Sequence, residues 1–318
     1  MFSDALTVLR TGEPEATCTD VRAPFSLQFP ATAGAGFQVV LRGSCALIPP
    51  DAEPIRLGPG DVVFLRHGSR YVLCSDPAVR PEEFSHERVD RSSYIGRITL
   101  DGPGDRCVLA CGTYQLDVAR AHPLLAGLPG VIHLSAGPGQ YPALRATVGQ
   151  LAEEIDAPRP GSDSVVHALI DLMLLQIMRA WYDGLPEGQA EGWAAAVTDP
   201  AIAPALQAIH DEPGRAWTVD ALRRRSGLSR AAFARRFTAL VGEPPLSYLT
   251  SWRMTNARRL LQDSDAPLAT VAARSGYGSE FAFAKAFKRA YGIAPGSYRR
   301  RSRRQRSDER SSPHWALR

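Results

Sequence analysis

The sequence predicts an α+β chain of two domains: an N-terminal antiparallel β-barrel followed by helices, and a C-terminal all-α domain made of two helix-turn-helix units. Three observations predict it. Residues 229–248 (SRAAFARRFTALVGEPPLSY) recur at an offset of fifty as 279–298 (SEFAFAKAFKRAYGIAPGSY), matching at nine positions. Short apolar runs punctuated by Gly and Pro fill the stretch from Phe25 to Leu116. Charge is also divided. Residues 199–318 carry 22 Lys+Arg against 10 Asp+Glu, a net of +12, whereas residues 1–198 carry 15 against 23, a net of −8, giving the chain's +4. A mild total therefore hides a strongly basic C-terminal domain, which points to a polyanion partner for that half alone.

From the N-terminus, the runs SLQF, FQVVLRGSCALI, DVVFLRH, RYVLCS and RCVLACGTYQL read as short strands of a sandwich or barrel. Residues of about 140–183 read as helices. SVVHALIDLMLLQIMRAWYD (164–183) is apolar on more than one face, so it must bury both. One face suits the barrel; the other suits either a second subunit or more of the same domain. Asp171 and Arg179 within it argue against a membrane span. These elements place a first domain at 1–183. GLPEGQAEG opens a linker at 184–198.

The repeat lies within a second domain at 199–300, with its two units at about 218–241 and 267–291. In the first, Thr218 caps a short helix holding Val219 and Leu222, and Gly227 ends it in the left-handed conformation. Ser229 caps a second helix whose Phe233, Phe237 and Leu240 share one face. Arg230, Ala231, Ala234 and Arg235 lie opposite. In the second unit Pro267 starts the helix, Gly276 turns the chain and Ser279 caps the next helix. There Phe283 and Phe287 face inward and leave Glu280, Phe281, Ala284, Lys285 and Lys288 outward or flanking. A narrow apolar stripe beneath a small, basic outer face fits a DNA major groove. Leu246–Leu261 between the units has the spacing of an amphipathic helix about 24 Å long, enough to hold the two readers near successive major-groove faces. Arg299, Arg300, Arg301, Arg303, Arg304 and Arg306 open a basic tail at 301–318, expected to be disordered and to serve either backbone binding or solubility.

These residues resemble the DNA-binding domain of the AraC/XylS family of bacterial transcription regulators. The resemblance is carried by WTVDALRRRSGLSRAAFARRF, by RRLL, and by SGYGSEFAFAKAFKRAYGIAPGSYR. It implies sequence-specific binding to double-stranded promoter DNA through Ser229, Arg230, Ala231, Ala234 and Arg235 at a first groove. At a second groove it implies Ser279, Glu280, Phe281, Ala284 and Lys285. It further implies activation through RNA polymerase, with repression as the alternative. FQVVLRGSCAL and LGPGDVVFLRHGSRYVL resemble the two halves of a cupin barrel, as in the cupin-bearing branch of that family, which implies a sensor with a small-molecule effector or a redox input.

A metal-dependent cupin enzyme fused to a DNA-targeting module is the competing class. It needs several His and a carboxylate on one ion. Phe37 and Gln38 stand where imidazoles would be wanted, and His67 and Tyr71 supply little more; His86, His122 and His133 have no ligand spacing. No metal, no cofactor and no enzymatic activity are therefore expected. The chain opens without a charged-then-apolar leader, so it is expected in the cytoplasm, on the nucleoid, with reduced thiols and no membrane attachment. Of its five cysteines, Cys45, Cys74 and Cys107 sit in apolar strands. Cys18, in a polar stretch near Arg22, and Cys111, beside a glycine at a strand end, are the redox-sensing candidates, since accessible thiolates near positive charge react fastest. The 35 Arg to 2 Lys point to a GC-rich genome rather than to a binding mode.

Overall fold

The computed structural model describes residues 15–31, 34–50, 52–66, 70–90, 95–115, 128–137, 139–185 and 191–311. They fall into two compact units, one holding 15–115 and 128–185, the other 191–311. His67 and His122, and the side chain of His86, lie outside the described residues.

The first unit contains β1 (Glu15–Arg22), β2 (Ser26–Phe29), β3 (Gly34–Arg42), β4 (Cys45–Ile48), β5 (Ile55–Leu57), β6 (Val62–Leu65), β7 (Tyr71–Cys74), β8 (Glu82–Glu83), β9 (Gly96–Leu100), β10 (Arg106–Gln115) and β11 (Val131–Leu134). They form a six-stranded sheet, β11-β6-β3-β10-β1-β9, and a five-stranded sheet, β5-β4-β7-β2-β8. The expected barrel is therefore corrected to an open sandwich. The pairing is not purely antiparallel either, because β1 runs parallel to β9 and β2 to β8. Between the sheets lie Val21, Phe25, Val40, Leu47, Val63, Leu65, Leu73 and Leu109.

Two helices follow, α1 (Pro142–Asp156) and α2 (Ser162–Asp183). They explain why β6 and much of β10 are buried on both sides: VVFL and CVLA read as unbroken apolar runs because a sheet covers one face and helices the other. Gly112 marks the closest approach. A Cβ there would stand 2.4 Å from Phe37 Cε1 and 3.0 Å from Ile170 Cγ2, so a glycine lets α2 settle onto the sheet. The Tyr114 hydroxyl donates to the Ile170 carbonyl, and Arg97 Nη2 to the Ile155 carbonyl at 3.0 Å. Though α2 is long and apolar enough to cross a membrane, Val166, Leu169, Ile170, Met173, Leu174, Ile177 and Met178 are buried within the protein.

The second unit holds α3 (Gly192–Ala196), α4 (Ala203–Asp211), α5 (Val219–Arg223), α6 (Arg230–Val241), α7 (Pro245–Asp263), α8 (Leu268–Arg274), α9 (Glu280–Tyr291) and α10 (Pro295–Ser311). α7 joins two cores. Its Tyr248 meets Phe237 edge-on at 5.9 Å, and its Met254, Ala257 and Leu261 pack with Val271, Phe283 and Phe287.

Two boundaries differ from the sequence reading. Part of the 184–198 linker is α3, whose Trp193 is 1% exposed and donates from Nε1 to the Tyr248 hydroxyl at 3.4 Å. One Trp beside three alanines supplies an apolar anchor that a free linker would not carry. The tail expected to be disordered from 301 continues α10 as far as Ser311. Arg299 Nη2 donates to the Ala266 carbonyl at 2.6 Å and Arg303 pairs with Asp265, while Arg, Gln and Glu are good helix formers. Residues 312–318 lie outside the described residues.

Candidate nucleic-acid interface

Each predicted unit is present in detail. Thr218 Oγ1 accepts from the Ala221 N–H at 3.1 Å, Ser229 Oγ from Ala232 at 3.3 Å and Ser279 Oγ from Ala282 at 3.2 Å. Such caps satisfy amides that the first turn of a helix leaves unpaired. Gly227 (φ 68°) and Gly276 (φ 74°) turn the chain in the left-handed region between the paired helices. Phe233, Phe237, Phe283 and Phe287 are fully buried. Their burial fixes the rotation of α6 and α9, and so decides which residues face out.

On α6 that outward face is Arg230, Ala231, Ala234 and Arg235; on α9 it is Glu280, Phe281, Ala284 and Lys285. Both alanines named Ala234 and Ala284 are half-buried, and the other six are exposed. Phe281 is 80% exposed, an apolar ring held in solvent at the first turn of α9. Exposed neighbours that the sequence reading left unassigned are Ala282, Arg224 and Arg225. Arg225 lies over the Trp217 ring at 5.3 Å.

Not every arginine is available. Arg236 turns away and donates from Nε to Asp199 Oδ2 at 2.8 Å. Asp199 Oδ1 also accepts from the Ala201 and Ile202 N–H groups, both at 2.9 Å. The Arg236 hydrogen bond and these backbone donors outweigh burial and hold the Asp199 carboxyl below its usual range. Arg230 Nη1 stands 3.3 Å from Asp220 Oδ2, and Asp220 Oδ1 accepts from Arg223 Nε at 2.7 Å.

Arg253 on α7 ties the two helix-turn-helix units together. Its Nε donates to the Pro213 carbonyl at 2.6 Å and its Nη2 to the Arg215 carbonyl at 2.8 Å. The same guanidinium passes under Gly276, where a Cβ would stand 2.6 Å from Nη2 and 2.7 Å from the Gly214 carbonyl oxygen. The loop before α5 is thereby held against the turn between α8 and α9. Sequence alone offered no signal for this clamp, because its acceptors are backbone carbonyls.

In the first unit the two cysteines singled out are not alike and do not face each other. Cys18 pairs with Ala110 across the strands and Cys111 with Thr17, so their side chains leave the sheet on opposite faces. Cys18 is 1% exposed rather than accessible, and burial pushes its thiol pKa up in spite of Arg97. The polar letters around it misled, since β1 is covered on both faces. Cys111 is partly buried, and burial pushes its thiol up to about 11 although Thr113 and Gln38 hydrogen bonds oppose this. Cys45, Cys74 and Cys107 are buried. Among the described residues no three His, Cys, Asp or Glu gather closely enough to hold a metal ion.

A β-sandwich carried on the same chain as two capped helix-turn-helix units is the arrangement of a DNA-binding regulator. Residues 1–183 match the family described as Cupin, and residues 222–301 the helix-turn-helix domain family. An AraC-like transcription regulator of Streptomyces antibioticus is 34% identical over 300 residues, covering 94% of this chain and 98% of that protein. Another, from Streptomyces lividans, is 33% identical over 304 residues, covering 94% and 97%. The RCS-specific transcriptional activator RclR of Escherichia coli is 29% identical over 278 residues, covering 85% of this chain and 88% of that one. The chain belongs to the AraC family of transcription regulators, and it is a DNA-binding regulator rather than an enzyme.

Proposed function

We propose that α6 and α9 read two neighbouring major-groove segments of promoter DNA, and that the chain activates transcription in the cytoplasm through contact with RNA polymerase. What carries this reading is the pair of helices capped alike by Ser229 and Ser279, each with an exposed outward face. Arg230 and Arg235 are the base-reading candidates of the first helix, since arginine pairs bidentately with guanine. Ala231 and Ala234 offer only apolar contact. Phe281 suits a thymine methyl, Glu280 suits a cytosine amino group, and Lys285 with Lys288 suits phosphates. Ser229 and Ser279 place helix N-termini, with their free amides, toward the backbone. The functional divisions are a sensor within 1–183 and a reader within 199–300.

The input is a small molecule bound between the sheets of the first unit. A thiol sensor is the second reading, favoured by likeness to an activator described as RCS-specific. The buried Cys18 and the raised Cys111 thiol weigh against it, because thiolates react. Val165 and Leu172, 42% and 40% exposed on α2, suit a homodimer contact.

The test is footprinting of the full-length protein on the DNA upstream of its own gene. Protection of two segments one helical turn apart is expected, lost on replacing Arg235 and Lys285 by Ala. Retained protection in that double variant refutes the placement of the helices. Cys18→Ser and Cys111→Ser variants that lose an oxidant response would favour the second reading.

A further inference from the structure

The inward side chains of the six-stranded sheet line up in rows that cross the strands. One row runs His133, Val63, Gln38, Cys111 and Thr17 over β11, β6, β3, β10 and β1; the next runs Val131, Leu65, Gly36, Thr113 and Glu15. Deeper in, the interior is closed by Val21, Val40, Leu47, Leu73 and Leu109. Gln38 sits at the middle of the first row, 2% exposed. Its Nε2 donates to the Tyr71 hydroxyl at 2.8 Å, and its Oε1 has no hydrogen-bond partner. Turning the amide over pairs Oε1 with that hydroxyl and strands Nε2 instead, so one amide atom lacks a protein partner either way. A buried polar atom left without a hydrogen bond destabilises the fold, so a partner that supplies one is favoured there.

The neighbours of that amide are not sealed. Gly36, Tyr71, Cys111 and Thr113 are half-buried although their strands point them inward. Cys111 Sγ and Thr113 Oγ1 lie 3.6 Å apart. Facing them from the second sheet is an aromatic stack. Tyr71 lies on Phe29 at 4.9 Å and 12°, and Phe29 on Phe84 at 4.6 Å and 27°. Of the titratable side chains in the two rows, Glu15 is exposed on β1, and His133, on an edge strand, is 3.8 Å from Asp61 Oδ2.

We propose that Gln38 is the recognition point of a site for a small, uncharged molecule that carries a hydroxyl on a flat, largely apolar frame. A hydroxyl both donates and accepts, so it completes the Gln38 amide in either orientation. The frame lies along the aromatic wall. Among the described residues no charged side chain is hydrogen-bonded to Gln38, so a carboxylate or ammonium would lose its hydration there without a counter-ion. This assignment rests on the ligand-sensing reading above and names the class of that ligand; DNA binding does not depend on it.

Phenol and toluene test it, since they share a ring and differ by the hydroxyl. Cys111 is the one cysteine of the five that is not fully buried, so its labelling by methyl methanethiosulfonate reports occupancy. Labelling is followed residue by residue by mass spectrometry on the full-length protein. Phenol is expected to protect Cys111 at concentrations about tenfold below those toluene needs, the ratio one net hydrogen bond supports. Gln38→Met, similar in length but without the amide, should erase the ratio. If that variant does not fold, the comparison in the wild type still decides. Equal protection by both compounds overturns the hydroxyl recognition, and protection by neither overturns the site. DNA binding by the same preparation is measured separately, so a failed ligand site and a failed regulator reading remain distinct outcomes.

Discussion

His210 makes the DNA-binding unit sensitive to acid in a way that can be calculated. It is 7% exposed on α4, stacked on Trp252 at 4.0 Å, with Nε2 hydrogen-bonded to the Tyr248 hydroxyl at 2.7 Å. Burial disfavours the imidazolium and pushes its pKa down from 6.5 to about 3. The folded protein therefore keeps this ring neutral while the unfolded chain takes up a proton below pH 6.5. Stability from this group is intact above that pH and drains away as the pH falls toward 3. Per proton the slope is about 1.4 kcal/mol per pH unit, so moving from pH 7 to pH 5 should cost about 2 kcal/mol. Urea unfolding of the full-length protein, followed by tryptophan fluorescence, measures this at both pH values. Trp193, Trp217 and Trp252 all lie in the affected unit. His210→Gln removes the titration, so its loss between the two pH values should be smaller than the wild type's by that amount. The comparison is of pH differences and is indifferent to any constant penalty of the substitution. Equal losses in both proteins would refute the account of a neutral, buried imidazole.

Other expectations follow from the same contacts. Arg253→Ala strands two carbonyls and should lower stability by about 1–3 kcal/mol. It should also weaken binding to the complete site more than to a DNA carrying a single segment, as compared by gel shift. Lys285→Ala should reduce the slope of log affinity against log salt by about 1 if the ammonium contacts phosphate. Arg235→Ala should instead relax base preference at one position by about 1–3 kcal/mol, seen in binding to a panel of single-base variants. Asp199→Asn keeps an acceptor for the Ala201 and Ile202 amides but lowers the attraction for Arg236; Asp199→Ala loses both. Chemical denaturation should rank the two, with Ala worse by about 1 kcal/mol.

The repeat disclosed the two helix-turn-helix units because its signals are local. A Ser cap, a Gly turn and Phe residues four apart each act within one or two turns of helix, and each occurs twice. Arg235 and Arg236 show where local signals stop. Both are exposed arginines in one run, yet about 100° of helical rotation sends Arg236 to Asp199, 37 residues away. The linker reading failed on Trp193 for the same reason, since its partner Tyr248 is 55 residues on.

Alternation in the strands gave the β-class of the first unit but could not say whether the strands close into a barrel. That depends on which edges pair, and pairing energy is similar for many registers until packing chooses among them. Cys18 looked exposed because its neighbours in sequence are polar, whereas exposure is set by the helices lying over β1. Gln38 appeared in the sequence as a position lacking an imidazole. Only the sheet register, which sets it beside Cys111 and opposite Tyr71, turns it into a buried amide in need of a partner. Periodicity, capping and charge thus determined the class of the protein from sequence alone, because they act between near neighbours. The polar row around Gln38, the Arg253 clamp and the fate of each cysteine were decided by contacts between residues distant in the chain, where burial rather than residue type fixes the chemistry.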